Sequence, residues 1–253
     1  YKDALLKAKK LGYAESNPKS DINGDDVASK IKILSALAFN SYINNKSILV
    51  EGIKDIDRTD IDNANHFGYK IKLVGVAEST KNKIIQRVHP ALVKENSYIA
   101  KINGALNAVI VQSNPAGKTV LQGEGAGPGP TTSSLISDLC SILRGNIKFP
   151  FVLSDKKRKN ANFENINNKK FSVYLRLDVK DKYGILSDVT KIMANNEVSV
   201  KRLVQNPTLN KKNSSIVMIT HAAKNSSFVK ILSILKKKNY IIKKPKIIRI
   251  ENI

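Results

Sequence analysis

Residues 171–186 read F-S-V-Y-L-R-L-D-V-K-D-K-Y-G-I-L. From Phe171 to Val179 apolar and polar side chains alternate, the period of a half-buried strand. Asp181 to Gly184 supply turn chemistry, and Leu186, Val189, Ile192 and Met193 then recur at helical spacing. Downstream, Val198–Gln205 and Ser215–His221 read as strands on either side of a polar loop, Asn206–Ser214. Phe228–Lys238 is a helix on Val229, Leu232 and Leu235, and Ile247–Ile250 closes as a strand. The order βαββαβ over about 80 residues predicts a ferredoxin-like sandwich: one antiparallel sheet with two helices on one face.

Toward the N-terminus the composition changes. Phe149-Pro150-Phe151 is followed by K-K-R-K-N and an Asn-rich run to Lys170. This reads as a solvated linker, and the short basic run carries no binding role. The expected divisions are 1–148, a linker at 149–170, and 171–253. In the first part, 1–10 and 25–41 read as helices, Leu49–Ile53 as a short strand, and Asp60–Phe67 as a helix stopped by Gly68. Tyr69–Glu78 and Ile84–Val93 read as strands. Asn107–Gln112 and Thr119–Gln122 form a strand pair around the turn residues Asn114-Pro115-Ala116-Gly117. The fold class is α+β: a mixed or antiparallel sheet covered by helices, then the βαββαβ sandwich.

The chain has 253 residues, a formal net charge of +22 and a pI near 9.9. Such charge raises nucleic acid or an anionic membrane as a partner. The lysines, however, are scattered through every segment and few stand beside aromatics, the pattern of a compositional bias rather than a binding stripe. No specific nucleic acid and no membrane is expected, only loose, salt-sensitive association with polyanions. No run approaches the ~18 apolar residues of a membrane span, and no signal peptide is visible. One cysteine, Cys140, excludes an internal disulfide and fits a reducing compartment. His66, His89 and His221 lie in separate elements without ligand spacing, so no metal site is expected from them. His89, before Pro90, reads as a strand end.

The densest chemistry lies at Gly12–Lys30, G-Y-A-E-S-N-P-K-S-D-I-N-G-D-D-V-A-S-K. Glu15, Asp21, Asp25, Asp26 and Lys30 surround a turn that runs into a helix. Val27, Ile31, Leu34 and Ala38 form its apolar stripe, widened by Ile33 and Leu37. Asp26 and Lys30, four residues apart, fall inside that widened arc. A lysine in partly apolar surroundings has its charged form disfavoured and can serve as an acid or base. A structural ion pair, buried or snorkelling to the rim, gives the same pattern.

A second stretch, G-E-G-A-G-P-G-P-T-T at 123–132, opens a helix on Leu135, Ile136, Leu139 and Leu143. A glycine turn at a helix N-terminus can cradle phosphate, and it can equally be a tight turn with close packing. It does not match G-x-G-x-x-G, and Gly117-Lys118-Thr119 lacks the upstream glycine of a P-loop.

The first stretch closely resembles the signature of homoserine dehydrogenases: Ala8, then Gly12, Tyr13, Ala14, Glu15, then Asn17 and Pro18, then Asp21, Ile22, Gly24, Asp26 and Lys30. The glycine turn resembles a second stretch of that family, through Gly123, Gly125, Ala126, Gly127, Pro130 and Thr131. The resemblance implies that Glu15 and Asp26 bind the amino-acid substrate, with Asp21 completing the polar cluster. Lys30 is the implied proton donor and acceptor. Gly127, Gly125 and Thr131 are implied to lie against an NAD(P) cofactor, with the following helix packing on a nucleotide-binding domain. The implied reaction is reversible reduction of L-aspartate 4-semialdehyde to L-homoserine, on the way to threonine, isoleucine and methionine.

The second half resembles the ACT domain, a regulatory module that binds amino acids, through D-x-x-G-I-L and S-S-I-V-M-I-T-H. That implies an effector site at Asp181, Gly184, Ile185 and Leu186, with L-threonine as effector. Tyr183 stands where the family commonly has proline, which would preset the backbone, so a looser loop is expected. No strand–G-x-G-x-x-G–helix unit occurs, and the chain does not start with Met. It therefore reads as a C-terminal portion, expected to have little activity alone. The family resemblance further implies a homodimer or higher homo-oligomer in the cytoplasm. Two other readings remain: a non-enzymatic amino-acid sensor, and a basic nucleic-acid-binding protein with steep salt dependence.

Overall fold

The computed structural model describes residues 2–10, 17–42, 48–80, 83–125, 127–146, 158–207 and 212–253. The first part runs α1 (Lys2–Lys10), α2 (Lys19–Asn23), α3 (Asp25–Phe39), β1 (Ser41–Tyr42), β2 (Ile48–Val50) and α4 (Arg58–His66). It continues through β3 (Tyr69–Thr80), β4 (Lys83–Lys94), α5 (Tyr98–Lys101), β5 (Leu106–Ser113), β6 (Gly117–Glu124) and α6 (Pro128–Leu143). Next come β7 (Lys159–Asn160), β8 (Asn162–Phe163) and a short 3-10 helix at Ile166–Asn168. The last part is β9 (Lys170–Lys180), α7 (Ile185–Asn195), β10 (Val200–Pro207), β11 (Asn213–Thr220), β12 (Ala223–Lys224), α8 (Asn225–Leu235) and β13 (Lys246–Glu251).

The local causes are visible at element ends. Asp57 caps α4: its Oδ1 accepts from the Asp60 N–H at 3.0 Å, and Asp60 Oδ2 accepts from the Asp57 N–H at 3.2 Å. This reciprocal box starts the helix earlier than the expected Asp60. Gly24, at φ +87°, ends α2 and begins α3, a left-handed corner that glycine adopts without steric cost. Pro128 opens α6, where a missing N–H is harmless.

The C-terminal order β10-β11-β9-β13, with α7 and α8, is the expected ferredoxin-like sandwich. The sequence did not reveal that this sheet is continuous with that of the first part. Among the described residues nine strands form one mixed sheet, because β13 pairs parallel with β4. β3 occupies one edge of β4 along its whole length, from Lys94 to Lys83. On the other edge β8, β2 and β13 lie end to end, opposite 83–84, 86–88 and 91–93. Pro90 falls where the neighbour changes from β2 to β13, so its missing N–H disrupts no ladder. His89 is thus inside a strand, not at its end.

One core lies between the sheet and α7/α8, with Leu175, Leu177, Val189, Met193, Ile216, Phe228 and Leu235. The other face buries Leu92, Tyr174, Val217, Ile219, Ile248 and Ile250 with Ala64 and Phe67 of and beside α4. α3 approaches β3 at Gly75, where an added Cβ would lie 3.0 Å from Val27 Cγ1 and 3.2 Å from Ile31 Cβ. Its buried residues are Ala28, Ser35 and Ala36, while Ile33, Leu34 and Leu37 are exposed. Four of the six residues of the expected stripe, with Ala38, therefore face outward. At the glycine crossing it is Val27 and Ile31 that lie against the strand, while Ile33, Leu34 and Leu37 point away from it.

The described end of the supposed solvated linker is laid against the first part. β7 pairs with β1, β8 with β4, and Glu164 N–H donates to the Ile84 carbonyl at 3.0 Å.

Candidate active site and its coupling to the C-terminal sheet

Gly12–Ser16, with Glu15, lies outside the described residues. From Asn17-Pro18 the chain enters α2, with Ile22 N–H bonded to the Pro18 carbonyl at 3.0 Å. Asp21 is exposed; Gly24 is buried, 3.1 Å from Val88 Cγ1 at the position of a would-be Cβ. Lys30 Nζ donates to Asp26 Oδ2 at 2.6 Å, with the side chains 63% and 40% exposed. The pair does fall beside Ile33 and Leu37 in the widened arc, but that side of the arc faces outward and not the core. On a wheel of about 100° per residue, Asp26 and Lys30 stand opposite the buried Ala28 and Ser35. The buried structural bridge therefore falls. An exposed i,i+4 pair contributes only about 0.3–0.5 kcal/mol, so stability gives little reason for it. Beside the turn is an open depression of about 410 Å³ lined by Asn23, Asp25, Val50, Gly52, Lys54 and Asp55.

The glycine turn joins β6 to α6. Gly125 N–H donates to the Ala105 carbonyl at 3.3 Å, and Gly127 begins the helix at φ +115°. Among the described residues a Cβ at Gly127 would meet only Pro130 Cδ, at 3.8 Å, so the backbone is open there. At Gly125 a Cβ would collide with the Asn107 side chain, so that glycine serves packing. Thr131 is exposed, and α6 beyond it exposes Leu135, Ile136, Leu139, Ile142 and Leu143. No hydrogen bond or ion pair among the described residues joins this turn to Asp26 or Lys30.

In the C-terminal loop, Asp181 N–H donates to the Lys212 carbonyl at 2.9 Å and Gly184 takes φ +81° ahead of α7. Tyr183 is fully exposed. The Ile185 side chain belongs to the core and Leu186 packs against it, so at those two positions the backbone is what the loop offers a ligand.

Sequence reasoning missed a charged seam between the two parts. Glu251 of β13 accepts from Arg87 Nε at 2.6 Å, Arg87 Nη2 at 2.8 Å and His89 Nε2 at 3.0 Å. Burial pushes the Glu251 carboxyl up, but these bonds with His89 and Arg87 outweigh it and bring it down to about 2. Arg87 also reaches Glu78 at 2.6 Å, and Glu78 pairs with Lys169. On the other face Arg176 pairs with Asp57 at 2.5 Å and Asp60 at 2.9 Å. Burial nevertheless pushes the Asp60 carboxyl up, and burial with that neighbour pushes the Tyr174 phenol up. Arg249 pairs with Glu51 at 2.7 Å, and Lys244 with Asp55 at 3.2 Å. The signal was present in the sequence as charges inside apolar strand runs, Arg87 in I-I-Q-R-V and Glu251 in I-I-R-I-E.

These features define a two-part chain: an α+β half carrying an acidic helix turn, fused through its sheet to a βαββαβ module of regulatory type. The chain belongs to the homoserine dehydrogenase family, whose family model matches residues 1–140; the ACT domain model matches 173–239. It is 36% identical to a homoserine dehydrogenase of Helicobacter pylori over all of this chain and 59% of that protein. To one of Neisseria gonorrhoeae it is 33% identical, over all of this chain and 60% of that one. A crystal structure of a homoserine dehydrogenase from Thiobacillus denitrificans superposes with TM-score 0.89 at 33% identity, covering 99% of this chain and 58% of that one. The chain thus spans about three fifths of the length of these relatives.

Proposed function

We propose that the chain provides the substrate-binding and regulatory parts of an NAD(P)-dependent homoserine dehydrogenase. The reaction interconverts L-aspartate 4-semialdehyde and L-homoserine. Asp26, with Glu15, binds the substrate ammonium, since carboxylates make charge-assisted hydrogen bonds to amine cations. Lys30 gives a proton to the aldehyde oxygen as it becomes an alkoxide, and takes one from the hydroxyl in reverse. Asp21 tunes the cluster. The hydride added to the aldehyde carbon is supplied by the nicotinamide. Gly127 offers exposed backbone at a helix N-terminus for close approach of that cofactor, beside Gly125 and Thr131. The loop at Asp181 and Gly184–Leu186 binds an amino-acid effector, L-threonine. The enzyme works as a cytoplasmic homo-oligomer, at least a dimer.

The observation that carries this reading is the Asp26–Lys30 pair, 2.6 Å apart and presented outward within the region matching the family. Lys30→Ala in the complete enzyme lowers kcat by about 10²–10⁴-fold, the usual worth of general acid–base help, while the KM for homoserine largely survives. Near-normal turnover of that variant ends the proton-transfer assignment.

A further inference from the structure

Two strands meet end to end on one edge of β4. β2 reaches Val50 opposite Val88, and β13 takes over at Arg249 opposite Ala91. The chain leaves β2 through Glu51-Gly52-Ile53, directly under the acidic turn. One hydrogen bond and two close backbone approaches join turn and exit. Ile53 N–H donates to the Ile22 carbonyl at 2.9 Å. A Cβ on Gly52 would fall 2.3 Å from the Ile22 oxygen and 2.8 Å from the Asn23 Cα. A Cβ on Gly24 would lie 3.6 Å from the Glu51 carbonyl oxygen. A shift of the exit therefore carries Ile22–Gly24 with it, and α3, with Asp26 and Lys30, begins at the next residue.

The Glu51 side chain is held by the C-terminal module. Arg249 Nη1 donates to its Oε2 at 2.7 Å. Arg249 is itself fixed: Nε and Nη2 donate to Asn225 Oδ1 at 3.2 and 3.1 Å, and its guanidinium lies 5.5 Å from the Phe171 ring centroid. Its side chain is only 10% exposed. A planar guanidinium with bonds on several sides and an aromatic beside it is a preorganised anchor, which a lysine only partly replaces.

We infer that Arg249 is a positioning residue for the substrate site. Through Glu51 it fixes the β2 exit on which the Asp21–Asp26 turn rests, so the last strand of the regulatory module sets the geometry presented by Asp26 and Lys30. This inference rests on the role given to those two residues above.

The test is steady-state kinetics of the complete enzyme carrying Arg249→Gln, Glu51→Gln or both, with homoserine and nicotinamide varied separately. Each single variant raises the KM for homoserine or lowers kcat by about 10- to 100-fold, the scale of an ångström misplacement, while the KM for nicotinamide stays unchanged. Arg249→Lys recovers part of the loss, and the double variant is no worse than the worse single one. A lower melting temperature with unchanged kinetic constants shows a structural tie only and overturns the inference. Should Arg249→Gln not fold, Glu51→Gln decides alone, since its side chain is 42% exposed. Wild-type enzyme that turns over no homoserine overturns the functional reading, and this inference with it.

Discussion

The acidic turn and the buried seam use the same parts in opposite surroundings. Lys30 and Asp26 meet at 2.6 Å with 63% and 40% of their side chains exposed. Arg87 and Glu251 also meet at 2.6 Å, with 0% and 8% exposed. In water the first pair is worth a few tenths of a kcal/mol, and either partner is free to exchange its bond for one to a ligand. The second has lost its hydration, so its bonds are obligatory. Ion pairs of the same length thus leave chemistry available at the turn and lock architecture at the seam.

Removing one partner from each pair separates the two most sharply. Glu251→Ala leaves the Arg87 guanidinium buried without its main acceptor and costs about 3–5 kcal/mol of stability in denaturant unfolding. A cost below 1 kcal/mol would mean the seam is not dry. The acid response follows in size. Glu251 sits near 2 when folded, below the ordinary carboxylate value of 4.5, so its contribution is complete above about 4.5 and is lost as pH falls from there toward 2. Unfolding midpoints measured across that window should slope less steeply for Glu251→Gln than for the wild type, and equal slopes would remove Glu251 from the account. Asp26→Asn gives the smallest stability change, under about 0.5 kcal/mol, yet raises the KM for homoserine. If it destabilises as much as Glu251→Ala, the contrast fails.

The βαββαβ half was legible because each element declares itself locally, by alternation in β9 and by helical spacing in α7 and α8, although α8 buries Phe228, Ile231 and Leu235 and leaves the expected Val229 exposed. Which face of α3 meets the sheet was not. A wheel shows an apolar arc but not which part of it the partner surface covers; here Val27 and Ile31 lie against Gly75 of β3 while Ile33, Leu34 and Leu37 stay exposed. The fusion of the two sheets was hidden for a related reason. Parallel pairing of β13 with β4 joins residues far apart in sequence and leaves no periodic trace in either. Pro90 inside an apolar run was the available hint that β4 changes neighbours there. The candidate residues Asp21, Asp26 and Lys30 were readable as letters, while the exposure of Asp26 and Lys30 depends on how α3 is rotated.

The central claim is that the outward-facing Lys30 amine acts on the substrate oxygen. A crystal structure of the complete enzyme with L-homoserine and the oxidised nicotinamide tests it most directly. The account predicts Lys30 Nζ at about 2.6–3.2 Å from the homoserine hydroxyl oxygen, with Asp26 on the ammonium group. Homoserine bound elsewhere, with Lys30 still bonded only to Asp26 and facing solvent, would contradict it.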